Sequence, residues 1–317
     1  MSKLSFLART SLLIAFFFFI DKILAFVRVG IISRQYAGSV ELLDTFNAAN
    51  NLPDVLFALI SGGALAMAFI PLMSEYLTTK GRAAAWDLFS RVANLAFLVT
   101  GSIALIVALF AEPIVNAELG IAPGFGAEQR QLLADLMRLN LIGTIIFSIS
   151  GLVMASLQAN QHFLLPALAP TMYNVGQIFG AIFLVPRYGI HGLVYGVILG
   201  AALHLLVQIP ALFRYEFKWT PALDLRHSGL IEALKLLAPR LLTMFGIQLI
   251  VIARDNLASR LDQVGAVTSL TYGWMIMQVP ETLLGTAIAT AMLPTLAEFA
   301  ARADWKGVQG QGCSAEL

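Results

Sequence analysis

The sequence predicts an all-α integral membrane protein, a polytopic helical bundle of parallel-repeat lobes, and three observations carry that prediction. Hydrophobic residues make up 58% of the chain and charged residues only 12%, against about 45–50% and about 25% in ordinary globular domains. Mean hydropathy is +0.80. Mainly apolar runs of about 20 residues, the length a helix needs to cross the hydrocarbon core, occur eight times.

The runs are taken in chain order. The first, centred near Phe18, begins with Lys3 and Arg9 as a secretory signal would, but it is too long and holds Asp21, Lys22 and Arg28, so it reads as a retained first span. The second, near Leu59, is entered through Asp44, Asn47, Asn50, Asn51 and Asp54, residue types that cap helices well at a membrane edge. The third and fourth centre near Ile103 and Phe147. The fifth, near Phe179, carries Gly176 and Gly180, and the sixth, near Ile198, carries Gly192, Gly196 and Gly200. Glycines at four-residue spacing share a helix face and let two backbones approach closely in lipid, so these are packing faces. The seventh, near Ile250, contains Arg240, Arg254 and Asp255, and the eighth centres near Thr286. Pro53, Pro71, Pro166, Pro170, Pro239, Pro280 and Pro294 lie in or at the ends of spans, where each removes a backbone donor and favours a kink.

Lys and Arg accumulate in cytoplasmic loops. With the N-terminus inside, the inner segments hold ten (Lys3, Arg9, Lys80, Arg82, Arg91, Arg214, Lys218, Arg226, Arg302, Lys306) and the outer ones four (Arg34, Arg130, Arg187, Arg260). A cytoplasmic N-terminus is therefore expected.

Part of the second span returns near the end of the chain. At an offset of 223, Pro71, Glu75 and Tyr76 are matched by Pro294, Glu298 and Phe299, and at 226 Arg28, Ser33 and Arg34 are matched by Arg254, Ser259 and Arg260. Fixed-offset matches of this kind signal repeated architecture, here parallel repeats about an axis along the membrane normal, as in some transporters. The expected organisation is a six-helix lobe over 1–228, the first two helices of a second lobe over 229–300, and a tail or linker over 301–317 that contains the single cysteine, Cys313. The chain thus reads as part of a longer protein, truncated after the eighth span.

A charged residue at a span centre costs about 2.5–3.5 kcal/mol on insertion scales, so Asp21, Lys22 and Arg28 are expected to face protein or water. Asp21 and Arg28, two turns apart, share a helix face. Arg28 and Arg254 occupy equivalent places in the two repeats, which favours a functional role for both; for Asp21 and Lys22, function and structural pairing stand equal. Asp44 and the asparagines are open between function and capping, and Glu75 and Glu298 read as structural. His162, His191 and His227 read as loop residues and His204 as a packed polar side chain. Phosphate-loop, nucleophile-elbow, zinc-helix and paired-cysteine patterns are absent from the sequence. Its net charge of +1 suggests no nucleic-acid partner. Neither an enzyme nor a cofactor is expected; transport is.

Several stretches resemble one family: Arg28 to Asp44, Leu52-Pro53 through Pro71 to Tyr76, the run Pro166-Ala167-Leu168-Ala169-Pro170-Thr171-Met172-Tyr173-Asn174, Gln208-Ile209-Pro210, and Tyr272 to Leu296. They are similar to the MurJ (MviN) lipid II flippases of the multidrug/oligosaccharidyl-lipid/polysaccharide exporter superfamily. The resemblance implies two lobes around a central cationic cavity, and export of an undecaprenyl-diphosphate-linked peptidoglycan precursor across the bacterial plasma membrane by alternating access. It implies that Arg28 is a retained cavity arginine and Lys22 a replaced one, with Phe57 and Met275 at two further arginine positions, Val29 at an acidic one, and Asp44 retained. Arginine grips a diphosphate through a planar fork and lysine only as a point charge, so the site is a weaker anion site than the family pattern. The expected substrate-binding set is Arg28, Lys22 and Arg254 on the diphosphate, with Asp21 and Asp44 resetting those cations or holding a coupling ion. Expected partners are the lipid-linked oligosaccharide and membrane lipids. Two alternatives are another exporter of the same superfamily, handling a polyprenyl-linked glycan or a drug, and a non-transporting membrane scaffold.

Overall fold

The computed structural model describes residues 3–62, 64–261 and 263–280. These form α1 (Lys3–Gln35), α2 (Val40–Ala49), α3 (Asn51–Leu56), a π-helical turn over Phe57–Gly62, α4 (Ala64–Thr79), α5 (Arg82–Leu109), α6 (Ala111–Asn116), α7 (Ala127–Ala159), α8 (Leu164–Phe179), a second π-helical turn over Gly180–Leu184, α9 (Val185–Tyr188), α10 (His191–Leu206), α11 (Ile209–Arg214), α12 (Ser228–Ser259) and α13 (Ala266–Pro280). The described residues contain no strand, as lipid requires of chains that satisfy their backbone groups within each span. Among the described residues, five stretches are long and apolar enough to cross a membrane: Arg82–Leu109, Ala127–Ala159, Leu164–Tyr188, His191–Arg214 and Ser228–Ser259.

The second apolar run is not one straight helix. Pro53 sits in the first turn of α3, where its missing N–H costs nothing, and the π-helical turn then widens the coil before α4 resumes. Pro71, Pro170 and Pro239 lie inside α4, α8 and α12. Gly81, at φ +86°, makes the reversal from α4 into α5 that a side chain would resist.

The chain divides into two compact units, Met1–Gly265 and Ala266–Leu317. In the first, α8 and α10 pack backbone to backbone. A methyl group on Gly176 would strike Gly200 and one on Gly180 would strike Gly196, while one on Gly192 would come within 2.5 Å of the Leu184 carbonyl carbon. The glycine faces expected from spacing are those contact faces. The main core joins Phe69, Leu72, Met73 and Tyr76 of α4 to Trp86, Leu88 and Phe89 of α5, Leu152 and Leu157 of α7, and Leu230, Ala233 and Leu237 of α12. The segment before α12 is strapped to α5: Asn94 donates to the carbonyls of Thr220 and Ala222 at 3.0 Å and accepts from Trp219 Nε1 at 2.9 Å, and Trp86 Nε1 donates to the Tyr215 carbonyl at 2.8 Å. Further along α12, Leu242, Phe245, Ile247, Leu249 and Ile250 are exposed. Of the second unit only α13 is described; Glu298, Pro294 and the second copy of the repeat from 281 onward lie outside the described residues.

Candidate functional site

Polar groups of α1, α2 and α3 are tied to other parts of the first unit. α1 packs along α8, and α3 packs on α7. Arg28 is half-buried on α1. Arg28 and Asp54 do not close into an ion pair, and neither side chain has a hydrogen-bond partner among the described residues. Asp54 has an exposed side chain. Aromatic rings form a cluster: Phe57 stands edge-on to Phe147 at 5.0 Å, and Phe147 stands edge-on to Tyr173 at 5.0 Å and to His204 at 5.2 Å. Phe57, at a position where the resemblance expects an arginine, thus supplies ring surface in place of charge.

Two turns along α1 from Arg28, Asp21 accepts a hydrogen bond from Asn174 Nδ2 at 2.7 Å, which ties α1 to α8. Lys22 is exposed and makes no ion pair among the described residues. Arg254 is not in contact with Arg28. Its Nε meets Asp255 Oδ1 at 2.7 Å, and Asp255, 2% exposed, also accepts from Asn51 Nδ2 at 2.7 Å. Asn51 lies on α3, so the seventh span is tied to that short helix. Asp44 is buried and accepts the Gly265 backbone N–H at 2.7 Å, a tie between α2 and the turn after α12.

Of the five expected residues, the structure therefore places Arg28, Asp21 and Lys22 along one helix, and holds Arg254 and Asp44 in other hydrogen bonds. Asn51, open in the sequence between function and capping, ties α3 to Asp255 of α12. Nearby, His204 is buried and bonded through Nδ1 to Ser150 Oγ at 2.6 Å, with Gln208 Nε2 donating to Ser150 Oγ at 3.0 Å, the packed polar role expected of it. Among the described residues no group of three His, Cys, Asp or Glu is placed to hold a metal ion.

Comparison with known proteins gives one consistent result. The family model described as lipid II flippase MurJ matches residues 34–312. The lipid II flippase MurJ of Burkholderia cenocepacia is 28% identical over 316 aligned residues, covering 94% of this chain and 60% of that protein. A solved lipid II flippase MurJ in an inward closed conformation superposes with a TM-score of 0.74 at 23% identity, over 90% of this chain and 59% of that one. An inward-facing multidrug resistance MATE family transporter gives 0.73 at 16% identity, over 93% and 66%. At such identities the structural likenesses establish the fold alone. The chain spans about 60% of the length of the Burkholderia relative.

Proposed function

From the premise that this chain belongs to the MurJ lipid II flippase family, we propose that it moves a polyprenyl-diphosphate-linked peptidoglycan precursor, lipid II, across a bacterial plasma membrane by alternating access. The diphosphate engages Arg28, with Lys22 further along α1 as a second, weaker cation and Arg254 joining only if its bond to Asp255 opens. The N-terminus is cytoplasmic in this reading. One observation carries it: Arg28 is half-buried on a hydrophobic helix and has no hydrogen-bond partner among the described residues. Dehydrating a guanidinium is costly unless something pairs with it, and an anionic headgroup is such a partner. The aromatic cluster of Phe57, Phe147 and Tyr173 gives the less polar part of the cargo a surface to lie on.

The test is complementation. In bacteria depleted of their own flippase, Arg28→Ala in the full-length protein should abolish lipid II export, and Arg28→Lys should retain part of it because a point charge replaces a bidentate fork. Undiminished export by Arg28→Ala would refute the reading. Phe57 and Met275 at expected arginine positions favour a second reading, in which another exporter of the same superfamily handles a different polyprenyl-linked glycan or an amphipathic drug.

A further inference from the structure

Where α1 packs along α8, two buried oxygens close to Asp21 have nothing to bind. Asn174 of α8 donates through Nδ2 to Asp21 Oδ1 at 2.7 Å and to the Asp21 backbone carbonyl at 3.5 Å, but its own Oδ1 is buried without a hydrogen-bond partner among the described residues. Thr171, one turn earlier on the same face of α8, has its Oγ1 buried and unpartnered as well. The two residues are 5% and 6% exposed, so bulk water does not satisfy them. On α7, by contrast, Thr144, Ser148 and Ser156 each turn the hydroxyl back to a carbonyl three or four residues earlier, the usual recourse of a hydroxyl inside a helix. Buried polar atoms are rarely left unpaired, and two of them beside one carboxylate point to a ligand.

The donor set names the ligand's chemistry. A half-buried carboxylate, an amide oxygen and a hydroxyl oxygen are the oxygen donors that hard cations take. Asp21 is in no ion pair among the described residues; Lys22 beside it is exposed, and Arg28 lies two turns further along α1. One carboxylate balances one positive charge, whereas a divalent ion would leave an uncompensated charge among apolar helices, which is costly. A proton would settle on a single oxygen and leave Asn174 Oδ1 and Thr171 Oγ1 as they are. Gln177 Nε2, one turn beyond Asn174 and also unpartnered, is a donor and has no part in such a site.

We propose that Asp21, Asn174 Oδ1 and Thr171 Oγ1 form a site for one sodium ion between α1 and α8. The ion draws the two helices together through oxygens of both. Because Arg28 and Lys22 share α1 with Asp21, sodium bound there biases the position of the helix that carries the proposed diphosphate cations. The site itself stands on the contact between α1 and α8; only its use as the coupling site of transport rests on the proposed function.

Thermal unfolding of the purified full chain in detergent tests the site, with sodium chloride replacing choline chloride at constant ionic strength and pH, and with no lipid substrate present. A ligand that binds only the folded protein raises the melting temperature as its concentration passes the dissociation constant, so the wild-type melting temperature should climb with sodium from that concentration on. Loss of a group that merely supports a metal's ligands costs about 10–100-fold in affinity. Removing a ligand should cost at least as much, so Asp21→Asn and Thr171→Val should each shift the sodium dependence upward by about tenfold or more. Each protein is compared with itself in choline, so a change in basal stability does not enter. Thr171→Val keeps the shape of the side chain and decides the case should Asp21→Asn not fold. No sodium response in the wild type, as when a water molecule fills the space, or an unaltered response in either variant, would overturn the site and leave the proposed function standing. Undiminished export by Arg28→Ala would refute the proposed function and leave the sodium site standing.

Discussion

His162 lies in the turn between α7 and α8, with its ring 5.9 Å from that of Tyr215 and its Nε2 buried without a hydrogen-bond partner among the described residues. Burial, and secondarily the charge of Arg214, holds the imidazole below the ordinary histidine pKa. A histidine whose folded pKa is depressed charges first in the unfolded chain as pH falls. Its stabilising contribution is therefore complete above the ordinary value of about 6.5 and is lost as pH drops through it toward the folded pKa. His162→Gln should accordingly flatten the acid-side decline in melting temperature between about pH 7 and pH 5; a profile superposable on wild type would count against this account. Asp255 shows the same logic for a charge. One buried carboxylate holds both Arg254 and Asn51, and its removal strands partners that breaking a buried pair leaves at a cost of about 3 kcal/mol or more; Asp255→Ala should therefore lower the melting temperature more than Asp224→Ala, whose carboxylate is 55% exposed.

At the scale of elements, the contact between α8 and α10 depends on side chains that are not there. Gly176 meets Gly200 and Gly180 meets Gly196 through backbone atoms, which cannot swing aside as a flexible side chain can. Gly30 on α1 and Gly101 on α5 have nothing within 4 Å of where a methyl group would sit. Alanine is the better helix former by about 1 kcal/mol, whereas overpacking costs about 1–3 kcal/mol. Gly180→Ala should therefore lower the melting temperature in detergent while Gly30→Ala and Gly101→Ala leave it unchanged or raise it. Equal effects at all three would mean that the close approach contributes nothing to stability.

Over the first unit as a whole, α12 is seated at both ends in different ways. Its N-terminal end is apolar: Gly229 lies against Tyr76 and Leu88, with Leu230, Ala233 and Leu237 in the same core. Its C-terminal end is polar. Asn256 Nδ2 donates to the carbonyls of Glu118 at 3.2 Å and Gly120 at 2.6 Å, Arg260 Nη2 donates to the Glu118 carbonyl at 2.6 Å, and Asp255 accepts from Asn51. Exchanged for water, the two neutral bonds of Asn256 lose about 0.5–1.5 kcal/mol each and those of Arg260 and Asp255 about 1.5–3 kcal/mol each, so the polar end is the one that can open repeatedly. Cysteines at Asn51 and Asp255 in a Cys313→Ser background, bridged by a short bifunctional thiol reagent, should stop transport, and cleaving the bridge should restore it. Full transport by the bridged protein would show that this end stays shut throughout the cycle.

The sequence alone determined that the chain is a helical membrane protein and that the glycines of the fifth and sixth spans form a packing face. These are local properties: each span must satisfy its own backbone in lipid, and glycine spacing repeats with the helix itself. It also marked Arg28 as a residue to watch. Which partners the charged groups meet was decided by the tertiary structure, because that depends on the rotation and tilt of the helices against one another. Hydropathy does not encode those angles. So Asp21 met Asn174 of α8, while Asp44 and Arg254, equally charged and equally visible in the sequence, were drawn into hydrogen bonds with Gly265 and Asp255.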